Sequence, residues 1–412
     1  MSPPKIVQSA FSLQPRPGVP LGDYFKQSQE LARAPLSAAS PIGDALPRIA
    51  INGRFLTQRA SGVQRFAAEA IKAIDALLDS DAYRALKGRI EILAPPQARD
   101  FPLKNIPLRR AGFFSGYLWE QVEYPLHARE RLLLNLCMLG PLIARHQIVV
   151  VHDATVRVLP ENFSPRFRAA YGFLIPRLCA RADLVVTVSK FSRREIGKWY
   201  GANIDTMPVC YEGGDHITAV APDLSVLDRL GLQGRKFFLG VGVDSSNKNI
   251  AKVVEAFQAA KFDDTMLVLT GARDPRVYGH FGEVNSAGVR MIGYVSDQEL
   301  RALYERALAL VFPSLYEGFG LPPVEAMTCG CPVVISEQPA LVEVCGDAAL
   351  RCEANDVAAL SRHMRRLHDD AALRQRMSAA GHERARRFTW AATARALLDH
   401  CLALGAKRAR AT

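Results

Sequence analysis

The chain has 412 residues, of which 49% are hydrophobic and 23% charged, which excludes a single small module as well as disordered, collagen-like and low-complexity chains. The net charge of +11 is uneven, because residues 361–412 contain twelve Arg or Lys and four Asp or Glu. Such a basic region is typical of a surface for nucleic acid or an anionic membrane, and equally of the solvated side of terminal helices.

No stretch of the sequence reaches the ~20 apolar residues that a membrane-spanning helix requires. The longest apolar region, residues 132–144, contains Asn135 and Pro141. Residues 1–20 are rich in proline and lack the apolar core of a signal peptide. The eight cysteines match neither zinc-binding nor C-x-x-C redox spacing. We therefore expect a cytoplasmic protein with reduced cysteines.

Residues 1–46 are dominated by Pro, Ser and Ala and keep no hydrophobic period, which predicts a loose N-terminal extension. From Arg48 onward, short apolar runs of strand type alternate with longer helical patterns. A run such as residues 148–151 is apolar on both faces, as a strand covered by helices on each side requires. The predicted elements of this part are strands at 49–51, 90–93, 148–151 and 184–188, and a helix at 63–78. The pattern predicts parallel α/β architecture.

Two adjacent glycines and a proline interrupt the alternation at residues 207–215, which we interpret as an interdomain linker. Strand patterns then follow at 237–241, 266–270, 289–292, 309–312 and 332–335, with helices at 250–259, 297–306 and 322–329. The sequence thus predicts two doubly wound, Rossmann-like domains, residues 47–212 and 213–387, that face each other across a cleft. Ligands bind such domains at the carboxyl ends of their parallel strands.

Residues 311–330 carry the strongest chemical signal. A buried strand ends in a loop whose glycines, Gly318 and Gly320, lead directly into a helix N-terminus. Exposed backbone N–H groups and the helix dipole favour a diphosphate there. Glu317 and Glu325 would repel phosphates unless they bind hydroxyl groups, so sugars are their natural partners. Taken singly, each glutamate is equally well explained as a surface acid or a residue favoured by the helix dipole.

Glu317 to Glu325 form an E-x7-E string, and residues 326–333 continue as Ala-Met-x-x-Gly-x-Pro-Val. With these motifs the sequence resembles the nucleotide-sugar-dependent glycosyltransferases of family 4 over roughly residues 48–404. The resemblance implies the GT-B fold, retention of the anomeric configuration, no metal, and a terminal helix at 388–405 that crosses back to the N-terminal domain. Further matching segments are 61–65, 151–153, 182–192, 293–300 and 339–349.

The resemblance also implies roles for single residues. Glu317 would hydrogen-bond the donor sugar and stabilise charge at its anomeric carbon, and His152 would contact that sugar across the cleft. Lys248 would neutralise the diphosphate alone, because Val243 and Asn247 stand where the family often has arginine. The sugar or the phosphates would be bound by the backbone amides of Gly318, Phe319, Gly320 and Leu321. Glu325 would accept hydrogen bonds from the ribose. Gly62 would leave room for the donor or the acceptor, and the backbone at Val295 would face the base.

Other polar residues leave alternatives open. Arg65 is expected to face either the acceptor or solvent. Asp153 could either orient His152 or cap the next turn, and we favour the cap. Asp79 and Asp81 form a D-x-D string at the end of a helical pattern, which favours a solvated turn over a metal site. We therefore expect no metal or other cofactor.

Segments 118–121, 133–142 and 271–276 look most like bacterial exopolysaccharide and lipopolysaccharide transferases, many of which are mannosyltransferases. The resemblance implies transfer of mannose from GDP-mannose to a lipid-linked or oligosaccharide acceptor by a protein held peripherally at the inner membrane face. UDP-glucose and dTDP-rhamnose are alternative donors, and a non-catalytic nucleotide- or glycan-binding protein is an alternative class. The basic tail lacks interleaved aromatic residues, so no nucleic-acid partner is expected.

Overall fold

The computed structural model describes residues 46–59, 61–242, 245–271 and 288–410. Residues 1–45 of the predicted extension and residues 272–276 of the segment used above lie outside the described residues. Residues 45–412 form a single compact unit.

The first sheet contains six parallel strands in the order β3-β2-β1-β4-β5-β6. This is the strand order of dinucleotide-binding folds. The strands are β1 Ile49–Asn52, β2 Ile90–Ala94, β3 Leu108–Arg110, β4 Leu132–Asn135, β5 Gln147–Val150 and β6 Leu184–Val186. The accompanying helices are α1 Gly62–Leu77, α2 Gly116–Leu118, α3 Tyr124–His127, α4 Thr155–Val158, α5 Pro165–Arg181 and α6 Lys190–Tyr200, and a π-helical turn, Trp119–Glu123, joins α2 to α3.

The second sheet repeats this order as β12-β11-β10-β7-β8-β9, again with parallel neighbours. Its strands are β7 Lys236–Val241, β8 Thr265–Thr270, β9 Val289–Gly293, β10 Ala309–Phe312, β11 Val333–Ser336 and β12 Ala349–Cys352. The helices that follow the linker are α7 Ser225–Arg229, α8 Ile250–Ala260, α9 Asp297–Arg306, α10 Leu321–Thr328, α11 Pro339–Cys345, α12 Val357–Asp369, α13 Ala371–Ala385 and α14 Trp390–Ala409. The prediction of an α/β protein with two Rossmann-like sheets is confirmed.

Short 3-10 turns join several of these elements at Gly53–Thr57, Arg84–Leu86, Pro160–Asn162, Ile204–Thr206, Asp215–Thr218, Ser246–Lys248 and Gly346–Ala348. Two helices show why the sequence folds this way locally. The buried face of α1 repeats every three or four residues, at Phe66, Ala70 and Ile74. Helix α9 begins with a capping box in which the Ser296 side chain accepts from the Glu299 N–H and the Glu299 side chain accepts from the Ser296 N–H.

Each sheet has a topological switch point, where the connections after two neighbouring strands run in opposite directions across the sheet. It lies between β1 and β4 in the first sheet and between β7 and β10 in the second. At the first switch point, the Asn52 side chain donates to the Asn135 side chain over 3.1 Å. At the second, the turn after β7 and the loop after β10 carry the predicted site residues. The fold therefore brings the predicted chemistry to the edge where ligands of such sheets bind.

Helix α14 packs along α1, so the end of the chain returns to the N-terminal sheet. The Trp390 ring lies 5.8 Å from the Phe66 ring, and its Nε1 donates to His216 Nδ1 over 3.0 Å. Linker residues pack tightly here, because a Cβ on Gly213 would lie 2.3 Å from the Trp390 nitrogen and one on Gly214 would lie 2.6 Å from a Val324 methyl group. These glycines are required by close packing.

Three strands did not follow from the sequence patterns. Strand β3 is partly exposed and ends in two arginines, β4 lies in the apolar region at 132–144, and β12 pairs only with β11 at the edge of its sheet. The D-x-D string lies in the turn after α1, where the Asp79 carboxylate accepts from Lys87 at 2.5 Å and Lys104 at 2.9 Å.

Replacing Trp390 by Ala removes the ring that fills the space between α14 and α1. Large-to-small changes of this kind cost about 3–5 kcal/mol, so we expect a clearly lower melting midpoint by circular dichroism. Trp390→Phe keeps an aromatic ring at this position and loses the pyrrole half of the indole with its N–H donor, so it should melt between the two. An alanine variant that melts like the wild type would show that α14 does not brace the N-terminal domain.

Candidate active site

Lys248 and Glu317 meet at the switch point of the second sheet. Lys248 ends the turn after β7, Glu317 lies on the loop after β10, and Lys248 Nζ donates to Glu317 Oε1 over 2.6 Å. The same oxygen accepts from Ser314 Oγ at 2.6 Å. Both side chains are largely buried, with 17% and 11% of their surfaces exposed. The cation predicted for the phosphates and the carboxylate predicted for the sugar are therefore in direct contact.

The local backbone explains why Lys248 reaches this position. Gly242 has φ +86°, and a Cβ there would lie 3.3 Å from the Lys248 side chain, so the lysine stem runs closely over the glycine. Asn249 adopts the left-handed conformation, and its side chain donates to the Ala354 carbonyl over 2.8 Å. This turns the chain sharply into α8.

The glycine loop of the second domain is pressed against the first domain. A Cβ on Gly318 would lie 2.9 Å from the His152 carbonyl oxygen, so this position has no space for a side chain. The Gly318 carbonyl in turn accepts from Ser189 Oγ at 2.6 Å and Ser192 Oγ at 2.9 Å. Gly320 has φ +106° and begins α10. The predicted donor loop is thus held by contacts from both sides of the cleft.

Only the backbone of this loop is available to a ligand. The Phe319 side chain is buried between the rings of Tyr211 and Phe388, and Leu321 is buried in the same core. Among the described residues, none accepts a hydrogen bond from the N–H groups of residues 318–320. Their amides therefore suit the role that the resemblance implies, binding of phosphate or sugar oxygens.

His152 is almost fully buried at the carboxyl end of β5. Its Nε2 lies 2.8 Å from the Leu136 carbonyl, which only accepts hydrogen bonds, so Nε2 carries a proton. Nδ1 lies 3.6 Å from Glu212 Oε1, and the Phe66 ring packs edge-on at 4.8 Å. Both ring nitrogens thus face protein groups, and contact of His152 with a sugar stays a prediction.

Glu212 is a site residue that the sequence patterns did not indicate, since it lies in the linker beside two glycines. Its carboxyl group is 6% exposed, and burial raises its pKa above the usual value, with repulsion from Glu317 and Glu325 adding to this and His152 opposing it. The signal available in the sequence was an acid beside two glycines in a mostly apolar linker, which also contains Asp215.

Glu325 lies deeper than the sequence suggested. Its Oε2 accepts from Tyr304 Oη over 3.0 Å, and its Oε1 lies 3.0 Å from His216 Nε2. Because His216 Nδ1 accepts from Trp390, His216 Nε2 carries the proton of a neutral ring. Burial and the Glu325 charge raise the pKa of Tyr304 well above its usual range. Ribose hydroxyls would have to share this carboxylate with both partners.

Arg65 is half-buried, with 30% of its side chain exposed, and it has a partner in the other domain that the sequence patterns did not indicate. Its guanidinium group donates to both carboxylate oxygens of Asp297 at 2.6 Å, joining α1 to the start of α9 in the other domain. Burial alone would raise the pKa of Asp297, but the Arg65 charge outweighs it and the pKa lies below the usual value.

The remaining predicted residues lie at the borders of the site. Gly62 is the first residue of α1, and a Cβ there would meet nothing within 4 Å, so space is available. Val295 lies between β9 and α9 with its side chain packed against the core, so its backbone alone can face a base. Asp153 Oδ1 accepts from the N–H of Thr155, the first residue of α4, over 2.8 Å, so its side chain stabilises the turn that leads into this helix.

The arrangement combines positive and negative binding groups. The starts of α8 and α10 lie beside Lys248 and the glycine loop, and helix N-termini and ammonium groups favour phosphates. The carboxylates of Glu317, Glu325 and Glu212 suit hydroxyl groups. Within the described ranges, no group of three His, Cys, Asp or Glu side chains is placed to hold a metal ion.

Comparison with known proteins identifies the fold and the family. The structure superposes on sucrose-phosphate synthase from Thermosynechococcus elongatus with a TM-score of 0.66 and 20% identity, covering 85% of this chain and 97% of that chain. The chain thus has the predicted GT-B fold. Residues 228–384 match the family described as Glycosyl transferases group 1. A glycosyltransferase group 1 domain therefore occupies residues 228–384 of a chain with the GT-B fold.

Two curated relatives are bacterial. O-antigen chain mannosyltransferase B of Escherichia coli is 35% identical over 256 residues, covering 59% of this chain and 66% of that protein. O-antigen chain mannosyltransferase RfbU of Salmonella typhimurium is 28% identical over 217 residues, covering 52% of this chain and 58% of that protein. The chain therefore spans slightly less than two thirds of the length of each.

Replacing Glu212 by Gln should change how stability depends on pH. Because burial raises the pKa of Glu212 in the folded state, the folded protein retains a proton that the unfolded chain releases, so stability decreases as pH rises from the usual value of 4.5 through the folded pKa. The glutamine variant lacks this titration, so the urea midpoint should fall less over that range. The exposed Glu353→Gln is the control, and equal slopes for wild type and Glu212→Gln would contradict the prediction.

Proposed function

We propose that this protein is a retaining mannosyltransferase that moves mannose from GDP-mannose to a lipid-linked or oligosaccharide acceptor in O-antigen, lipopolysaccharide or exopolysaccharide synthesis. The similarity to two O-antigen chain mannosyltransferases supports the sugar and the process. The observation that carries the chemistry is the contact of Lys248 with Glu317 at the switch point, opposite His152.

The ion pair between Lys248 and Glu317 supports an exchange of partners on donor binding. An ammonium group has three donors, and one of them is occupied by Glu317 Oε1. A diphosphate beside Lys248 would compete for this ammonium group and free the Glu317 carboxylate for the hydroxyl groups of the sugar. Lys248 and Glu317 thus neutralise each other before the donor binds. In the complex, Lys248 would bind the phosphates and Glu317 would bind the sugar.

We propose further that the leaving diphosphate is stabilised without a metal ion. The N-terminus of α10, the amides of residues 318–320 and Lys248 supply positive charge on one side of the cleft. Glu317 would stabilise the charge that develops at the anomeric carbon, with His152 opposite. Exclusion of water by the closed domains would protect the activated sugar from hydrolysis.

We place this reaction in the cytoplasm, at the membrane face where lipid-linked acceptors are found. The net charge of +11 supports attraction to anionic lipids. None of the helices in the described part of the chain combines the length and hydrophobicity needed to cross a bilayer.

The proposal predicts selective binding of GDP-mannose and its transfer. In a thermal-shift screen of GDP-, UDP- and dTDP-sugars, GDP-mannose should give the largest increase, since a ligand at a hundredfold excess over its Kd adds about 2.7 kcal/mol of stability. Glu317→Gln should still bind GDP-mannose and lose at least ~100-fold in kcat, because the carboxylate charge is needed in the transition state.

Glu337→Gln, an exposed acid after β11, is the matched control and should transfer normally. A larger shift with UDP-glucose or dTDP-rhamnose would replace the proposed donor. Donor binding without transfer to any acceptor fraction would favour a binding protein. Unchanged turnover of Glu317→Gln would remove this residue from the mechanism.

Lys248→Ala should weaken donor binding by roughly tenfold to hundredfold, because a charged hydrogen bond to phosphate is lost. Lys252→Ala, one turn further along α8 and paired with Glu255, is the matched control. Isothermal titration with GDP measures both.

If Lys248 and the backbone amides carry the leaving-group charge, excess EDTA should leave transfer unchanged, whereas loss of transfer in EDTA would show that a metal is required.

A further inference from the structure

We infer that one face of the N-terminal domain docks on an anionic phospholipid bilayer, at the rim of the cleft. Large apolar side chains are exposed along α2, the π-helical turn and α3, whereas an ordinary surface helix exposes polar side chains and buries its apolar ones. Phe113 is 90% exposed and Ile143 65% exposed. We call this surface the apolar face, and it consists of Phe113, Phe114, Leu118, Val122, Leu126 and Ile143.

The apolar face is held in place by the residues beneath it. Leu118, Val122 and Leu126 recur every four residues on the outer side of the helical segment, while Trp119 and Tyr124 on the inner side are fully buried. The hydrophobic side chains are thus presented outward by a fixed scaffold.

The loop that carries the two exposed phenylalanines is fixed in the same way. The N–H groups of Phe113 and Phe114 donate to the carboxylate of Glu123, with distances of 2.9 and 3.0 Å for Phe113 and 2.9 Å for Phe114. Trp119 Nε1 donates to the Ala111 carbonyl over 2.7 Å. The exposure of these rings is therefore built into the fold.

Contacts join the apolar face to helix α5. The Gln121 side chain donates to the Gly140 carbonyl over 2.9 Å and accepts from the Leu142 N–H over 3.0 Å, which holds the loop containing Ile143 beside the helical segment. Arg181 Nε, at the end of α5, donates to the Leu142 carbonyl over 3.1 Å. The apolar face and α5 therefore form one continuous surface.

Helix α5 supplies positive charge to this surface. It contains four arginines and no acidic residue, and none of the four forms an ion pair within the described residues. Phe173 is half exposed on the same helix, under the guanidinium group of Arg177. The arginines are Arg166, Arg168, Arg177 and Arg181. Apolar side chains flanked by arginines suit the interface of a bilayer that contains anionic lipids.

Charge decides between a bilayer and a second copy of this chain. A symmetric dimer through this surface would place the same arginine-bearing helix opposite itself, and like charges across an interface oppose association. An anionic bilayer pairs those arginines with phosphate groups and also covers the apolar side chains. The observed surface therefore fits lipid better than self-association.

The apolar face also lies next to the catalytic edge of its own sheet. Glu120, on the inner side of the same helical segment, accepts from Asn52 at 2.8 Å and from Arg54 at 2.9 Å, directly after β1. That is the switch point of the N-terminal sheet. Resting on the proposed function, this position would let an acceptor anchored in the bilayer extend directly into the cleft.

The test is flotation of the full-length protein with vesicles. Wild type should bind vesicles of phosphatidylglycerol and phosphatidylethanolamine, bind less at high salt, and bind poorly to phosphatidylcholine. A variant with Phe113→Ser, Leu118→Ser and Val122→Ser should lose at least tenfold in bound fraction. Arg166→Ser with Arg177→Ser should lose about fivefold per arginine.

Matched controls change similar side chains elsewhere. Leu224→Ser removes an exposed apolar residue just before α7 in the other domain, and Arg386→Ser with Arg387→Ser removes two arginines of the basic C-terminal region. Both controls should bind vesicles like the wild type. Loss of binding only in the C-terminal control, or equal binding by the apolar-face variant, would overturn the inference.

Two further readouts separate the possible failures. Light scattering should give the same oligomeric state for wild type and the apolar-face variant, and a change from dimer to monomer without a change in flotation would overturn the inference in favour of self-association. The apolar-face variant should keep the wild-type thermal shift with GDP-mannose. A wild type that binds vesicles but no nucleotide sugar would refute the proposed function and leave the membrane surface standing.

Discussion

Two backbone carbonyls decide how closely the two domains can meet. The His152 carbonyl lies where a side chain on residue 318 would be, and the Gly318 carbonyl accepts hydroxyl groups of Ser189 and Ser192. This contact fixes Glu317, one residue earlier, against Lys248 and opposite the N-terminal sheet. The position of the candidate carboxylate is therefore a consequence of the interdomain contact as much as of its own domain.

The site collects acids that would repel one another without specific partners. Burial and the charges of Glu317 and Glu325 raise the pKa of Glu212, which is the direction expected when carboxylates crowd together in a buried site. Lys248 and His216 lie beside the other two carboxylates. In the proposed reaction, a diphosphate adds further negative charge and would take over Lys248, and hydroxyl groups of the sugar are neutral donors from which the freed Glu317 carboxylate can accept.

Local signals predicted the elements and the glycine loop well. The apolar run of β10, the glycines after it and the spacing of Glu317 and Glu325 are features of consecutive residues, so periodicity and turn chemistry indicate them. The partners of these residues could not be predicted in this way. Arg65 and Asp297 lie 232 residues apart, and nothing in either neighbourhood indicates the other. Burial of Glu212 likewise depends on how both domains pack around the linker.

The two domains present different chemistry, one within the cleft and the other at its rim. Lys248 and the glycine loop belong to the C-terminal domain, whereas the apolar face and the four arginines of α5 belong to the N-terminal domain. Contacts such as Arg65 with Asp297 tie the domains together at the helix starts that border the cleft. The groups proposed for the donor, Lys248 and the glycine loop, do not overlap with the groups proposed for the bilayer. The proposed membrane attachment and the proposed donor binding therefore use separate side chains, so substitutions can remove either one without the other.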